Sequence, residues 1–590
     1  MMDFYDRLFP LLRGLVLWLV LLPLAAAIVL PWLGRFARRA ALYTAIVHVL
    51  LTAAVVFGAV IVLDERGLNL RENTRELSFQ IFQPDFVPGD PGLHGVMNGS
   101  TYRTKWTLLS LTDQPAFEPG TGGKMYRAGP RIQFYLGVDG LNLWLVALSS
   151  LMMLPALLVS WDAGSECPGP YYGWLFLLQG GAIGAFLSFD VILFYAFFEL
   201  TLIPSYFLIA GWGTGSDRRD AARKFFLYTL AGSLLTLIGI IGVVLANPDP
   251  FSGHYTFSLP DLMRNFQYHM RDAHADLMVQ GKPETLANRH AIQFWLFAAL
   301  VVGFLVKAPV WPFHTWLPAA YREAPLGVTI LLSALLAKLG VYGMVRFVLA
   351  LTPDAALAYG LPVIGTLAAI GIIYGALCAF AQRDIKLMIA YGSISHLGFL
   401  VLGLFAMNAE GIAGASLHMV NHGVATGAMF ALLAFFIDRY RTTDMRAFGG
   451  LMGRYPKFAF LAFVISFASI GLPGLNNYVS EMLMLAGLVD ARNAGAPGMG
   501  LAAVGAVSIF LGAWYVLTML QRVFFNPHRE PARLGSTAGD LTKHETYVLG
   551  GLAALCLFLG LFPQKLLTPL RADAALLGTL ADSARERVQG

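Results

Sequence analysis

Apolar runs of about 20 residues follow one another along most of this 590-residue chain, separated by polar connections. A helix of ~20 residues, rising about 1.5 Å per residue, spans the roughly 30 Å hydrocarbon core of a bilayer. A membrane β-barrel would alternate apolar and polar positions and lacks such runs. The pattern therefore predicts about fourteen transmembrane helices, near 14–33, 41–63, 138–160, 171–189, 191–212, 224–246, 292–311, 326–350, 357–381, 387–407, 411–437, 457–489, 500–524 and 545–563. The twelfth is long and interrupted. Two polar stretches, 64–136 and 247–291, are expected as extramembrane loops, the first rich in Gly, Pro, Asp and Arg. The opening MMDFYDRLFP is not the basic start of a secretory signal, and arginines follow the first apolar run, so that run is kept as a span.

Alternate short connections are basic. One set holds Arg35, Arg38 and Arg39; Arg218 and Arg219; Arg383 and Lys386; Arg439, Arg441, Arg446 and Arg454; and Arg522, Arg529 and Arg533. The positive-inside rule puts these on the cytoplasmic side, with both long loops and both termini opposite. Composition agrees with a polytopic helical membrane protein. Hydrophobic residues make up 57% and charged residues 13%, against about 25% charged in soluble domains. The net charge of +5 is thus accounted for by orientation, not by nucleic-acid binding. The three cysteines, Cys167, Cys378 and Cys556, form no CxxC or Cys/His cluster, which argues against iron–sulfur or zinc sites. No Walker A loop or strand-linked GxGxxG supports nucleotide chemistry on this chain.

Against this background Glu199, Lys307, Lys338, His418 and Glu481 stand out, because each lies in an apolar segment. A charge at bilayer depth costs at least a few kcal/mol, so such residues default to ion pathways. Glu199 is a candidate proton carrier, with a structural ion pair as the plainer alternative. Lys307 precedes a Pro-containing break, KAPVWP, where snorkelling to the interface competes. Whether a buried ammonium keeps its proton depends on whether a carboxylate stands beside it. Lys338 lies about twelve residues into its span, roughly 18 Å along a helix, too deep to snorkel easily. His418 and His422 are spaced i, i+4 on one helix face, and His396 lies in the preceding span. Histidine exchanges protons near neutral pH through either ring nitrogen, so relay competes with plain helix packing. A metal site is weaker, because no third ligand falls in register. Glu481 follows a second break, Gly471-Leu-Pro473-Gly474. Paired broken helices mark repeat-built transporters with a midplane site, and a break needs protein or water partners, hence a hydrated cavity. Asp139, Asp190 and Arg346 are expected at the interface.

Several runs carry a resemblance: FFELTLIPSYFLIAGWG (197–213), KAPVWPFHTWLPAAYREAP (307–325), LLSALLAKLGVYGMVRF (331–347), RDIKLMIAYGSISHLGF (383–399) and GLPGLNNYVSEM (471–482). They resemble the antiporter-like subunits of respiratory complex I, over roughly 138–565, and most of all the M-type branch. The resemblance implies an all-α membrane fold of fourteen helices with two inverted five-helix repeats, each holding one broken helix. The chain would divide into 1–137 (two spans and a long loop), 138–350 (the third span and a first repeat, 171–350), 357–524 (a second repeat) and 525–590 (last span and tail). Glu199 and Lys307 resemble the family's glutamate–lysine partners on the fifth and seventh helices, Lys338 the eighth-helix lysine, and Glu481 the acid of the broken twelfth helix. Glutamate at 481, and an end without a long lateral helix, favour the M-type. The implied activity is proton translocation by a membrane-arm subunit without its own redox centre. FMN, iron–sulfur clusters and quinone are then expected on partner subunits. L- and N-type neighbours, membrane lipid and a bacterial inner-membrane location follow from the same resemblance. The long loops at 64–136 and 247–291 exceed the family's usual connections and are candidates for contact with a neighbouring or accessory subunit. Rival readings are a multisubunit cation/proton antiporter or membrane-bound hydrogenase subunit, and a purely structural scaffold.

Overall fold

The computed structural model describes residues 2–72, 84, 87, 106–111, 114–117, 125–128, 130–161, 168–250, 253–274, 278–279, 282–283, 286–491, 498–532 and 539–589. Much of the first expected long loop, a few residues of the second, and Cys167 and Arg533 lie outside these residues. The described chain is helical apart from three small two-stranded antiparallel sheets that fall within those two stretches.

Ten helices among the described residues are long and apolar enough to cross a membrane. The first, Leu11–Leu63, is bent. A 3-10 turn at Leu30–Phe36, with Gly34 at φ 49°, divides it, and the two halves Met2–Val29 and Ala37–Glu72 pack on each other. That left-handed backbone suits glycine, which has no Cβ to clash. Two shorter apolar helices, Leu143–Val159 and Pro456–Ser469, complete the set. The most enclosed members are Leu326–Leu349, buried along its whole length, and Ala409–Tyr440, buried along nearly all of it. A helix that is apolar all round belongs inside a bundle. Both are apolar along most of their length, so ionisable residues they carry, Lys338 and Arg346 on the first and His418, His422 and Arg439 on the second, are buried with them.

Several boundaries differ from the sequence expectation for local reasons. The segment expected at 138–160 becomes helical only at Leu143, because Asp139 and Asn142 form a side-chain turn. Asp139 Oδ1 accepts from the Leu141 and Asn142 amides at 3.1 Å, and Asn142 Oδ1 accepts from the Asp139 amide at 2.9 Å. The span 191–212 is two helices, Val191–Leu200 and Leu202–Trp212. Pro204 has no N–H for the Leu200 carbonyl four residues back. Ser205 Oγ donates to the Thr201 carbonyl at 2.7 Å. Leu326–Leu349 widens into π turns at Leu332–Leu336 and Met344–Leu349, on either side of Lys338. The tail after the last span is a helix, Pro563–Gln589. It packs on the long Ala409–Tyr440 helix and on Ala37–Glu72. Arg587 forks onto the Asp354 carboxylate, Nη2 to Oδ1 at 2.6 Å. Arg585 Nη2 donates to the Met407 carbonyl at 2.8 Å.

Five charges expected at interfaces or in loops are instead buried. Arg346 Nη2 meets Asp139 Oδ2 at 2.5 Å, and its Nε donates to Tyr342 Oη at 2.8 Å. Asp190 caps Val191–Leu200, accepting from the Ile192 and Leu193 amides at 3.0 Å. Lys386 Nζ donates to the Arg322 and Ala324 carbonyls, at 3.0 and 2.6 Å. Arg439 grips both Glu545 oxygens at 2.6 and 3.0 Å. Asp190 is a local helix cap, and the other four find partners far along the chain, which periodicity does not reveal. Removing one member of a buried pair leaves a charge without compensation, at a cost of about 3–5 kcal/mol. Arg346→Ala is accordingly expected to lower the unfolding temperature in detergent sharply, with Asp139→Asn, which keeps the Oδ1 acceptor, added to Arg346→Met restoring most of it. Equal melting of wild type and Arg346→Ala would show the pair to be dispensable.

Candidate functional site

Lys338 sits immediately after the first π turn. Its Nζ donates to the Ser333 carbonyl at 2.5 Å, five residues back, and lies 2.8 Å from His422 Nδ1. π turns recur at functional sites because they shift backbone groups out of the regular ladder. An ammonium at Lys338 makes His422 Nδ1 the acceptor. His422 Nε2 then carries the hydrogen, toward Thr426 Oγ1 at 3.1 Å.

Three histidine rings pack together beyond this contact. His396 and His422 have ring centroids 5.4 Å apart, His418 and His422 5.8 Å, and His396 and His418 6.2 Å. His396 comes from Ile385–Leu404, packed against Ala409–Tyr440. His418 Nδ1 lies 2.9 Å from Ser480 Oγ. Ser480 itself donates to the Asn477 carbonyl at 2.8 Å and accepts from Asn421 Nδ2 at 3.3 Å. Its hydroxyl hydrogen is thereby spent, so His418 Nδ1 is the donor and Nε2 is left as a bare lone pair.

The broken helix brings Glu481 to the same place. Pro456–Ser469 and Asn476–Val489 are separated by a turn in which Gly471 and Gly474 take φ 69° and 89°. Asn421 and Asn476 each donate a side-chain N–H to the other's carbonyl, at 2.6 and 2.8 Å, and so tie the break to the long helix. Glu481 is 2% exposed. A Cβ on Gly471 would lie 2.2 Å from Glu481 Oε2, so only glycine lets the break fold over this carboxylate. That oxygen has no hydrogen-bond partner.

Lys307 ends its helix, Leu286–Lys307, at the other break. It does not snorkel. Its Nζ donates to the Phe198 carbonyl at 3.4 Å and Thr201 Oγ1 at 3.3 Å, and stands 4.2 Å from the centre of the Phe198 ring. Glu199, half-buried, lies within electrostatic reach of Lys307 but is not in ion-pair contact with it, and its Oε1 has no hydrogen-bond partner. The structure thus gathers Lys338, His396, His418, His422 and Glu481 into one cluster, and Glu199 with Lys307 into a second. No hydrogen bond joins Lys307 to Lys338. Their helices touch through Gly340, where a Cβ would lie 2.6 Å from the Ala308 nitrogen.

Two points depart from sequence expectation. The polar groups that orient the cluster, Thr201, Thr426, Ser480 and Tyr515, were not singled out, though hydroxyls spaced through apolar helices were the available signal. A third ligand does stand with the histidines. One donor atom each from His396, His418 and Glu481 lies within 4.8 Å of the others. Helix register could not show this, because Glu481 arrives from another helix.

Comparison with known proteins agrees with the fold. A family described as NADH:quinone oxidoreductase/Mrp antiporter, TM, matches residues 188–512. NADH-quinone oxidoreductase subunit M of Pseudomonas aeruginosa is 35% identical over 443 residues, 74% of this chain and 80% of that one. A chain of respiratory complex I from Thermus thermophilus is 27% identical and superposes with a TM-score of 0.70 over 96% of this chain and 99% of its own. A chain of the Mrp complex from Dietzia sp. shares the fold at 18% identity, TM-score 0.67, over 98% of this chain and 99% of that one. This multi-pass membrane protein belongs to the NADH:quinone oxidoreductase/Mrp antiporter family.

Proposed function

We propose that this chain is the proton-translocating M-type subunit of the membrane arm of a bacterial NADH:quinone oxidoreductase in the inner membrane. The observation that carries this is the buried succession Lys338, His422, His396 with His418, and Glu481, built on the three most enclosed spans and the second half of the broken helix, in a chain whose curated relatives include subunit M. On this reading the helices form fourteen spans. The units 171–350 and 357–524 act as inverted repeats, with breaks at 308–315 and 470–475. The segment 1–137 and the end 525–590 flank them. FMN, iron–sulfur clusters and quinone reside on partner subunits, and L- and N-type subunits are the neighbours. Cation/proton antiport without a redox partner is the competing activity, and the likeness to the Mrp chain supports only its fold.

Proton movement then rests on two contacts that can be made and broken. Drawing the Glu199 carboxylate onto Lys307 Nζ holds the ammonium. Withdrawing it leaves Lys307 with a carbonyl and a hydroxyl, which stabilise the charge less, and frees the proton to move inward. Water must bridge from Lys307 to Lys338 past the Gly340 contact. From Lys338 the proton passes to His422 and through the adjoining rings to Glu481, which releases it on the far side. Moving one charge against 100 mV costs about 2.3 kcal/mol. Making or breaking one buried ion pair involves about 3–5 kcal/mol, enough for that step.

Glu199→Gln is expected to leave the complex assembled while cutting NADH-driven proton uptake by inverted vesicles about tenfold, a barrier change of about 1.4 kcal/mol. Unchanged uptake per NADH would defeat the relay. Lys338→Ala should abolish uptake, whereas Lys338→Arg keeps the charge without ready release and should retain only a fraction; a wild-type level in both would reduce Lys338 to packing. Gly471→Ala adds the left-handed backbone penalty of roughly 1–2 kcal/mol and pushes on Glu481, so uptake should fall with little change in NADH oxidation by the hydrophilic subunits. Pumping that survives Gly471→Ala unchanged would show the break to be indifferent to Glu481.

A further inference from the structure

We propose that His396, His418 and Glu481 form a binding site for a divalent transition-metal ion of the zinc class, inside the helix bundle. The three side chains come from three helices and are 8%, 0% and 2% exposed. One donor atom of each lies within 4.8 Å of the others. Three buried atoms there lack any hydrogen-bond partner: His396 Nδ1, His418 Nε2 and Glu481 Oε2. Buried polar atoms are almost always satisfied, so three orphans in one cluster point to an occupant.

The surroundings preset the donors for a metal. Ser480 holds His418 Nδ1 at 2.9 Å as the donor, which leaves the Nε2 lone pair free. Tyr515 Oη faces His396 Nε2 at 3.4 Å and leaves Nδ1 for the cluster. Metal-binding histidines are oriented in this way, by a partner on the second ring nitrogen. Two imidazole nitrogens and one carboxylate oxygen are the donor set of zinc sites with an open fourth position. Sodium, magnesium and calcium prefer all-oxygen shells. Tetrahedral ligands at about 2.0–2.1 Å from an ion lie roughly 3.4 Å apart, so donors within 4.8 Å of one another must close by up to about 1.4 Å. The flexible Glu481 side chain allows that. Lys338 Nζ is engaged by His422 Nδ1 and the Ser333 carbonyl and takes no part in the ligand set. The proposal concerns occupancy and does not rest on the relay. If the relay also holds, an ion here would occupy three of its groups and stop transfer at His422.

The test uses the full chain in detergent micelles, stripped with chelator and titrated with Co²⁺, then Zn²⁺. One Co²⁺ per chain with the strong visible absorption of a four-coordinate site, displaced by Zn²⁺, is expected. Glu481→Gln and His418→Gln should each weaken binding more than about a hundredfold, and Tyr515→Phe about 10–100-fold. Exposed His528→Gln should leave it unchanged. Zinc X-ray absorption of the wild type should show two imidazoles, which decides the matter if a ligand variant fails to fold. No Co²⁺ band in the wild type, a band that survives in both ligand variants, or a zinc shell without imidazole overturns the proposal.

Discussion

Inside a bilayer every backbone N–H and C=O must find a protein or water partner, because lipid offers none. An uninterrupted helix meets that demand by itself, and each interruption reopens it. In this chain the interruptions and the ionisable residues occupy the same places. The break after Lys307 is bridged when Trp316 Nε1 donates to the Val306 carbonyl at 2.9 Å. The break before Glu481 is tied by the Asn421–Asn476 exchange. The π turn before Lys338 offers the Ser333 carbonyl to its ammonium. Polar side chains here serve the backbone and the charge at once, and neither could be removed without exposing the other.

Two kinds of buried charge result. Arg346 with Asp139, and Arg439 with Glu545, are direct pairs in which each charge has its opposite. They stitch distant segments and leave nothing to move. Lys307 and Lys338 are held by carbonyls, a hydroxyl and an imidazole, partners that stabilise an ammonium without a full opposite charge. A partner of that kind leaves the ammonium sensitive to small changes nearby. The contrast separates fully paired charges from partly compensated ones, Lys386 with its two carbonyls among the latter, which burial alone does not.

The sequence revealed most of this where a single residue violates a long apolar pattern. Lys338 in LLSALLAKLGVYGM, and the Gly-Leu-Pro-Gly break before Glu481, were legible because bilayer depth makes each anomaly costly. Span positions were legible for the same reason. What escaped were contacts between segments distant along the chain. Arg346 looked interfacial because Asp139 lies on another helix, and Lys386 and Arg439 looked like orienting loop charges because their partners are tertiary. The Pro563–Gln589 helix was missed because its apolar face is interleaved with charge and with Pro569, which hides its period. The split at Thr201 was visible in principle through Pro204, yet a proline in an apolar run does not say whether neighbours will absorb it.

The arrangement also explains why the charged groups divide into two clusters instead of one line. Lys307 and Lys338 lie on helices that press together at Gly340, with a Cβ-free contact on Ala308. So close a backbone approach excludes side chains from the interface, and with them any fixed hydrogen-bonded link. On the Lys338 side the opposite holds. Imidazole rings 5.4–6.2 Å apart fill the space between helices and touch one another. Rings so placed need only a small rotation or one water to pass a proton, whereas the Gly340 contact needs water to enter a gap that no side chain fills. On the proposed relay, the gap lies between Glu199–Lys307 and the histidine cluster, beside a lysine whose carboxylate stands apart from it, so the step that water must bridge is also the step nearest to a charge free to be displaced.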